Sequence, residues 1–478
     1  STNNNDIKSI IEINDCTFKN CGTNGYSFYL SVSRSSTQNS EINFVNSAFE
    51  FDSKEACSGI YLSQNNREVT LSGCSFNKCI SSTEQISAVS IASSSNVLIE
   101  QCQFHDCSIN DITVVLSIKT DQIECIIQNC TFDSNLENYL TGSPISVSVE
   151  GVALIGNVFQ NCNANAVQIR VKSNDDSAFQ LIDNRFVDCN QGPLISVLEG
   201  SFNKNPKIIG NAFENIHVDS ELFIITLSSN SILFEESTFS NVKTKFGGFG
   251  GRISFSQSNS NSLIELSFID CSFLDNSQET QGGGAFCSSE IQNNGNVELL
   301  FDRCLIQNNT ATEFGGALYL PLISSVSIQE TAFINNVCRN QGGAIFIDYT
   351  KSSKSSSLSL LSLNSFCSIS SCKFEGNKAD NYGNAIYIND ARTDIEYSFE
   401  NNTFENNYFK SDNVGYVIVS KSIDIDISNN KFSNPNSQVR VNPYMNIQKP
   451  PFKTPEPLVV ENVYQNEKGE VDTSSFSK

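Results

Sequence analysis

The sequence predicts an all-β chain wound as a right-handed parallel β-helix, with about 14 to 15 coils and three short strands in each. Three observations predict it: an aromatic anchor recurring at coil length, a pair of small polar positions held around each anchor, and short β-branched runs between anchors. Self-similarity at this period means stacked units, because one unit cannot bury its apolar face without neighbours.

The anchors are Phe18, Phe49, Phe76, Phe104, Phe132, Phe159, Phe186, Phe213, Phe239, Phe273, Ile306, Phe333, Phe374, Phe404 and Phe432, separated by 26 to 34 residues with one longer gap. Between Phe76 and Phe213 the spacing holds near 27. That suits one circuit of a three-sided coil, whereas a leucine-rich horseshoe repeats more tightly and uses Leu. Adjacent coils sit ~4.8 Å apart, so a rod of roughly 70 Å is expected, with the rings stacked inside it. A Phe recurring at one phase is read as core, each burial contributing about 1.5–3 kcal/mol.

Two residues before the anchor stand Cys16, Cys74, Cys102, Cys130, Asn157, Asn184, Asn211, Cys271, Cys304, Cys372, Asn402 and Asn430. Three after it stand Cys21, Cys79, Cys107, Asn135, Cys162, Cys189, Asn276, Asn309, Asn336, Asn377 and Asn407. Asn and Cys exchange at both positions, which reads as two turn-lining ladders. Stacked amides satisfy one another and the turn backbone, and a small thiol fills the same volume as a weak donor.

The runs between anchors, such as Ile112 to Ile118 and Ile123 to Ile127, or Ala166 to Val171 and Ala178 to Ile182, have strand length. Gly, Asn, Ser and Asp interrupt them, leaving no room for an ordinary helix. The solenoid is expected to occupy residues 1–432. From 433 to 478 the anchors stop, and Pro435, Pro443, Pro450, Pro451, Pro455 and Pro457 predict an extended tail or linker.

Seventeen Cys accompany one Met and no Trp. The spacing of Cys16 with Cys21, Cys74 with Cys79, and Cys102 with Cys107 suggests a bridge across the turn. Cys130 faces Asn135 and Cys162 faces Asn157, however, so the two sites vary independently, and obligate bridges would not. The substitution pattern favours ladder thiols. Vertical bridges between consecutive coils, Cys74 to Cys102 or Cys162 to Cys189, remain feasible because ~4.8 Å lies within disulfide range.

The net charge of −22 disfavours nucleic acid and anionic membranes, and no apolar run is long enough to span a bilayer. Three sequons begin at Asn129, Asn308 and Asn401, each one step from a ladder position, where the amide faces solvent and accepts a glycan on a secretory route.

Chemistry is sparse. The one Asp pair, Asp175 and Asp176, lies in the polar loop Ser173 to Ser177 with no partner pair a coil away, as glycoside hydrolysis needs. His105 and His217 stand at unrelated phases and have no metal-ligand spacing. Cys107 and His105 are expected on opposite faces. Asp424 and Asp426 are read as solvated. The expectation is therefore no catalysis, no cofactor and no metal.

From Phe273 the phrase sharpens to Phe273-Leu274-Asp275-Asn276, Phe333-Ile334-Asn335-Asn336, Phe374-Glu375-Gly376-Asn377 and Phe404-Glu405-Asn406-Asn407. Gly-Gly-Ala runs follow at Gly283 to Phe286, Gly315 to Leu318 and Gly342 to Ile345, with Gly383-Asn384-Ala385-Ile386 as a variant. This resembles the polymorphic outer membrane protein repeat over roughly residues 270 to 410. The resemblance implies a right-handed β-helix displayed at a cell surface with adhesive function, and it carries over no catalytic residue. Its first-half counterpart has FxxC in place of FxxN and few Gly-Gly-Ala runs, so the resemblance there is to β-helices generally.

The functional expectation is an extracellular or cell-surface β-helix with an adhesive or structural role, whose partner is a protein or glycan. Two alternatives accompany it: copies joined end to end as an extracellular filament, and a polysaccharide lyase or glycoside hydrolase. Insertions at Lys245 to Gly251 and Lys351 to Ser357 mark candidate binding loops, with Phe246 and Phe249 either presented to a partner or packed inward.

Overall fold

The computed structural model describes the strand runs and anchor turns between Ile10 and Ser433, together with Val463 and Tyr464. Outside it lie 1–9, 21–24, 32–40, 52–56, 82–87, 110–112, 121–124, 134–141, 172–178, 199–205, 245–248, 256–262, 349–364, 390–394, 410–417, 421–424, 434–462 and 465–478, with gaps of one to three residues elsewhere. The described residues form parallel β-strands, with no α-helix among them. Their contacts divide the chain into two units: Ser1–Ser229 with Arg252–Gln257, and Asn230–Gly251 with Ser258–Lys478.

In the first unit each coil repeats the same path. A strand such as Cys125–Gln128 turns a corner into the three-residue anchor strand Thr131–Asp133, and a longer strand such as Gly142–Val149 closes the circuit. Successive coils pair in register, so Leu71, Ile99, Ile127, Leu154 and Leu181 form one inward column. The β-helix is thus a direct outcome of period-2 patterning: Val97 and Ile99 point inward and are buried, while Leu98 and Glu100 alternate outward and are half-buried.

The anchors pile up as expected. From Phe18 through Phe213, eight rings lie 4.6–5.0 Å apart with planes within 6° of parallel. Parallel rings at that separation are offset-stacked, the geometry the ring quadrupoles prefer. In the second unit Phe239 stacks on Phe273 and Phe333 on Phe374 and then Phe404, while Ile306 holds the phase between Phe273 and Phe333.

Left-handed corners on either side of the anchor make the sharp turns. The residue three before the anchor has positive φ at Asn46, Gly73, Gln101, Asn129, Gly156 and Asp183, and the residue two after it does so at Lys78, Asp106, Asn161 and Asp188. Asn, Asp and Gly predominate because they tolerate this region with least strain.

A two-residue strand, present in the first unit at Ile80–Ser81, Ser108–Ile109 and His217–Val218, recurs in the coils of the second. Thr310–Ala311 follows Leu305–Gln307, and the Gly-Gly-Ala run then leads into Leu318–Pro321. The second glycine is what makes this packing fit. A Cβ on Gly316 would stand 2.2 Å from Gly343 O and 2.6 Å from Val337 N, so backbone passes directly against it. Tyr319 alternates away from the main interior, yet it is 1% exposed, packed in a side core with Cys287, Phe346 and Tyr387.

One strand comes from the proline-rich segment. Val463–Tyr464 pairs in parallel with Lys431 and Phe432, setting Tyr464 in register with Phe432. Of the candidate insertion, Phe249 is described; it is buried, in edge-to-face contact with Phe234, Phe239 and Phe268. Phe246 and the insertion Lys351 to Ser357 fall outside the described residues.

Candidate interaction surface

Cysteine and asparagine occupy the turns in one bonding scheme. Cys102 Sγ donates to Leu71 O and Glu100 O at 3.6 and 3.3 Å, and Asn184 Nδ2 donates to the corresponding Leu154 O and Ile182 O at 2.7 and 3.0 Å. Asn adds an acceptor: Asn184 Oδ1 takes the backbone N–H of Asn157 at 3.0 Å. In the second unit the chain Asn309, Asn336, Asn377, Asn407 is linked amide to amide at 2.9–3.0 Å. Ser47, Ser237 and Thr331 occupy the same rungs with hydroxyls, which a search confined to Cys and Asn overlooks.

The fifteen cysteines whose side chains are described form no disulfide with one another. Cys74, Cys79, Cys102, Cys107, Cys130, Cys162 and Cys189 are buried, Cys16 is half-buried, and Cys21 lies outside the described residues. The hydrogen bond from neighbouring Cys102, followed by burial, pushes the Cys74 thiol up, and Cys162 is raised in the same way by Cys189. Burial alone raises Cys125. These groups stay protonated and are poor nucleophiles.

The remaining candidates scatter. His105 is on the outside, its Nε2 3.3 Å from Asp106 Oδ2 and its Nδ1 3.4 Å from Asp133 Oδ2. Cys107 points the opposite way, donating to Phe76 O and His105 O, so thiol and imidazole share no reaction space. His217 is exposed in the short strand His217–Val218, and its backbone N–H bonds Cys189 O. Asp175, Asp176 and Asp424 lie outside the described residues, and Asp426 falls in the strand Ile425–Ser428. Among the described residues no three His, Cys, Asp or Glu gather as metal ligands, and no helix is long and apolar enough to cross a membrane.

Asn129, Asn308 and Asn401 are all exposed, each at a left-handed corner with φ of 53°, 57° and 56°. Asn308 Nδ2 donates to Asp275 Oδ1 at 3.0 Å.

The outer surface carries one aromatic pair that the sequence reading did not single out. Tyr29 and Tyr61 lie in register on the neighbouring strands Gly25–Ser31 and Cys57–Asn65, their rings 5.3 Å apart and within 4° of parallel. Tyr29 is 60% exposed. Alternation explains the placement: Phe28 turns inward to meet Phe44 edge-on at 5.1 Å, which sends the next side chain outward. In the following coils Ser90 and then Ser117 continue this column in register. The result is a short face-to-face tyrosine stack on the outer sheet with Ser90 next in the column, in which the more exposed Tyr29 ring offers apolar surface and a hydroxyl to a planar or ring-shaped ligand.

No known protein family and no curated protein matches this chain. Among solved structures it is similar to a mutant of the PL6-family alginate lyase AlyGC, at 8% identity, covering 89% of this chain and 98% of that one with a TM-score of 0.20.

Proposed function

We propose that this chain is a non-catalytic β-helix of the cell surface or extracellular space that binds a protein or glycan through its outer face. The observation that carries the reading is the Tyr29–Tyr61 stack, a parallel aromatic pair on the outer sheet whose Tyr29 member is 60% exposed. The side chains that ordinarily do chemistry are occupied elsewhere: thiols in the turn ladders, His105 between two carboxylates. The repeat resemblance from Phe273 to Asn407 supports surface display, and the exposed sequons at Asn129, Asn308 and Asn401 fit a secretory route. A surface of net charge −22 favours neutral or cationic partners.

Binding of the purified chain to glycan and surface-protein arrays tests this. The double variant Tyr29→Ser/Tyr61→Ser is expected to lose about tenfold or more in affinity, the worth of a stacked aromatic contact, with no change in melting temperature. Unchanged binding in that variant, or oligosaccharide release from a polysaccharide panel, overturns the reading.

A second reading, a self-assembling subunit, is favoured by the pairing of Val463–Tyr464 with Lys431 and Phe432, in which a distant segment extends the anchor sheet. If copies exchange this strand, sedimentation shows concentration-dependent oligomers that vanish on truncation after Ser433. A monomer at all concentrations removes that reading.

A further inference from the structure

The ladders place thiols on consecutive coils with nothing between them. Cys74, Cys102 and Cys130 occupy three successive rungs, each 0–1% exposed, and the main chain steps between those rungs through Gln103 N to Cys74 O and Thr131 N to Cys102 O, both 2.9 Å. Cys162 and Cys189 repeat the arrangement on the other ladder. One coil is ~4.8 Å, inside the Cα separation a disulfide spans, roughly 4.4–6.8 Å, whereas two coils, about 9.6 Å, lie outside it.

We infer that the thiol ladders are axial staple sites, in which a low-molecular-weight disulfide such as oxidised glutathione joins Cys162 to Cys189, Cys79 to Cys107, Cys271 to Cys304, and Cys102 to either Cys74 or Cys130. The step balances: one Cys thiolate attacks oxidised glutathione and releases a glutathione thiolate, and the neighbouring Cys thiolate then attacks the mixed disulfide and releases the second. Two thiols are oxidised, one glutathione disulfide is reduced to two glutathiones, and the two thiol protons leave with them. In the finished solenoid Cys74, Cys102 and Cys162 are buried and held protonated, which slows the attack. The staple therefore closes while coils are being stacked. Because the middle rung of a three-thiol ladder can join only one neighbour, one of Cys74 and Cys130 always remains free. This inference stands apart from the ligand-binding reading and survives its failure.

The test is refolding of the full chain in a glutathione redox buffer, followed by proteolysis and mass mapping without reduction. Cys162–Cys189, Cys79–Cys107, Cys271–Cys304 and one of the two Cys102 linkages are expected, each with loss of two hydrogen atoms. In Cys102→Ser, which copies the hydroxyl rung at Ser47, Cys74 and Cys130 both stay free while Cys162–Cys189 forms as before. Should the serine variant fold poorly, Cys102→Asn copies the Asn157 rung and must give the same map. Links across a turn, Cys74–Cys79 or Cys102–Cys107, a Cys74–Cys130 link in either variant, or a refolded chain whose ladder thiols are all free would each overturn the inference.

Discussion

Cys130 Sγ and Asn157 Nδ2, on successive coils, donate to carbonyls that are themselves successive: Ile99 O at 3.7 Å and Ile127 O at 2.8 Å. Asn157 Oδ1 also accepts the backbone N–H of Cys130 at 2.9 Å, so the amide performs the thiol's function and one more. The asymmetry makes a prediction. Cys130→Ala forfeits only a weak donor and costs about 1 kcal/mol, whereas Asn157→Ala strands a buried N–H and costs roughly 2–4 kcal/mol. Urea denaturation of the two variants checks the ranking, and equal losses would deny the shared scheme.

The Gly-Gly-Ala runs predict a contrast between two positions at one phase. Gly316→Ala forces a Cβ against backbone at 2.2–2.7 Å and is expected to unfold its coils or yield no soluble protein. Asn384 stands where the other runs have their second Gly, fully buried, with both its Oδ1 and Nδ2 lacking a hydrogen-bond partner. Asn384→Gly removes an unsatisfied amide and is expected to stabilise by about 1–3 kcal/mol. Thermal melting of both variants gives the signs, and a destabilised Asn384→Gly would contradict the packing described.

The buried thiols set the alkaline limit. Cys74 is raised by its bond to Cys102 and by burial, Cys125 by burial, and Cys338 and Cys372 are pushed up to about 12 chiefly by burial. Unfolded thiols ionise near pH ~8.5, so above that pH the unfolded chain holds fewer protons than the folded one and stability falls as pH rises. Each such thiol removes about 1.4 kcal/mol per pH unit in this window, and below it there is no effect. Urea midpoints with reductant present are expected to agree from about pH 7 to 8 and drop steeply by about pH 10. A flat profile would show thiols already in water.

Much of this architecture was legible because it repeats. Phe132 is unremarkable alone, but fourteen companions at coil spacing declare a column, and the Cys102 and Asn184 rungs follow from the same phase. Ser47, Ser237 and Thr331 were missed because ladder membership depends on a donor of the right size rather than on residue type. Tyr464 was missed because six prolines separate it from Phe432, although Asn462 stands two before it, as in the anchor phrase, and Tyr464 falls in register with Phe432. Tyr29 and Tyr61 form a surface pair in only two coils, so no period exposes them, and only the fold brings residues 32 apart into one stack.

The central claim, rings stacked one coil apart inside the first unit, is tested most directly by double-mutant cycles on Phe132, Phe159 and Phe186, replaced by Leu. Phe132 and Phe159 lie 5.0 Å apart and Phe159 and Phe186 4.6 Å, so each neighbouring pair is expected to couple by about 0.5–1.5 kcal/mol. Phe132 and Phe186, separated by the ring of Phe159, are expected to be additive within about 0.5 kcal/mol. Additivity in the neighbouring pairs, or equal coupling in all three, would contradict the stacked column.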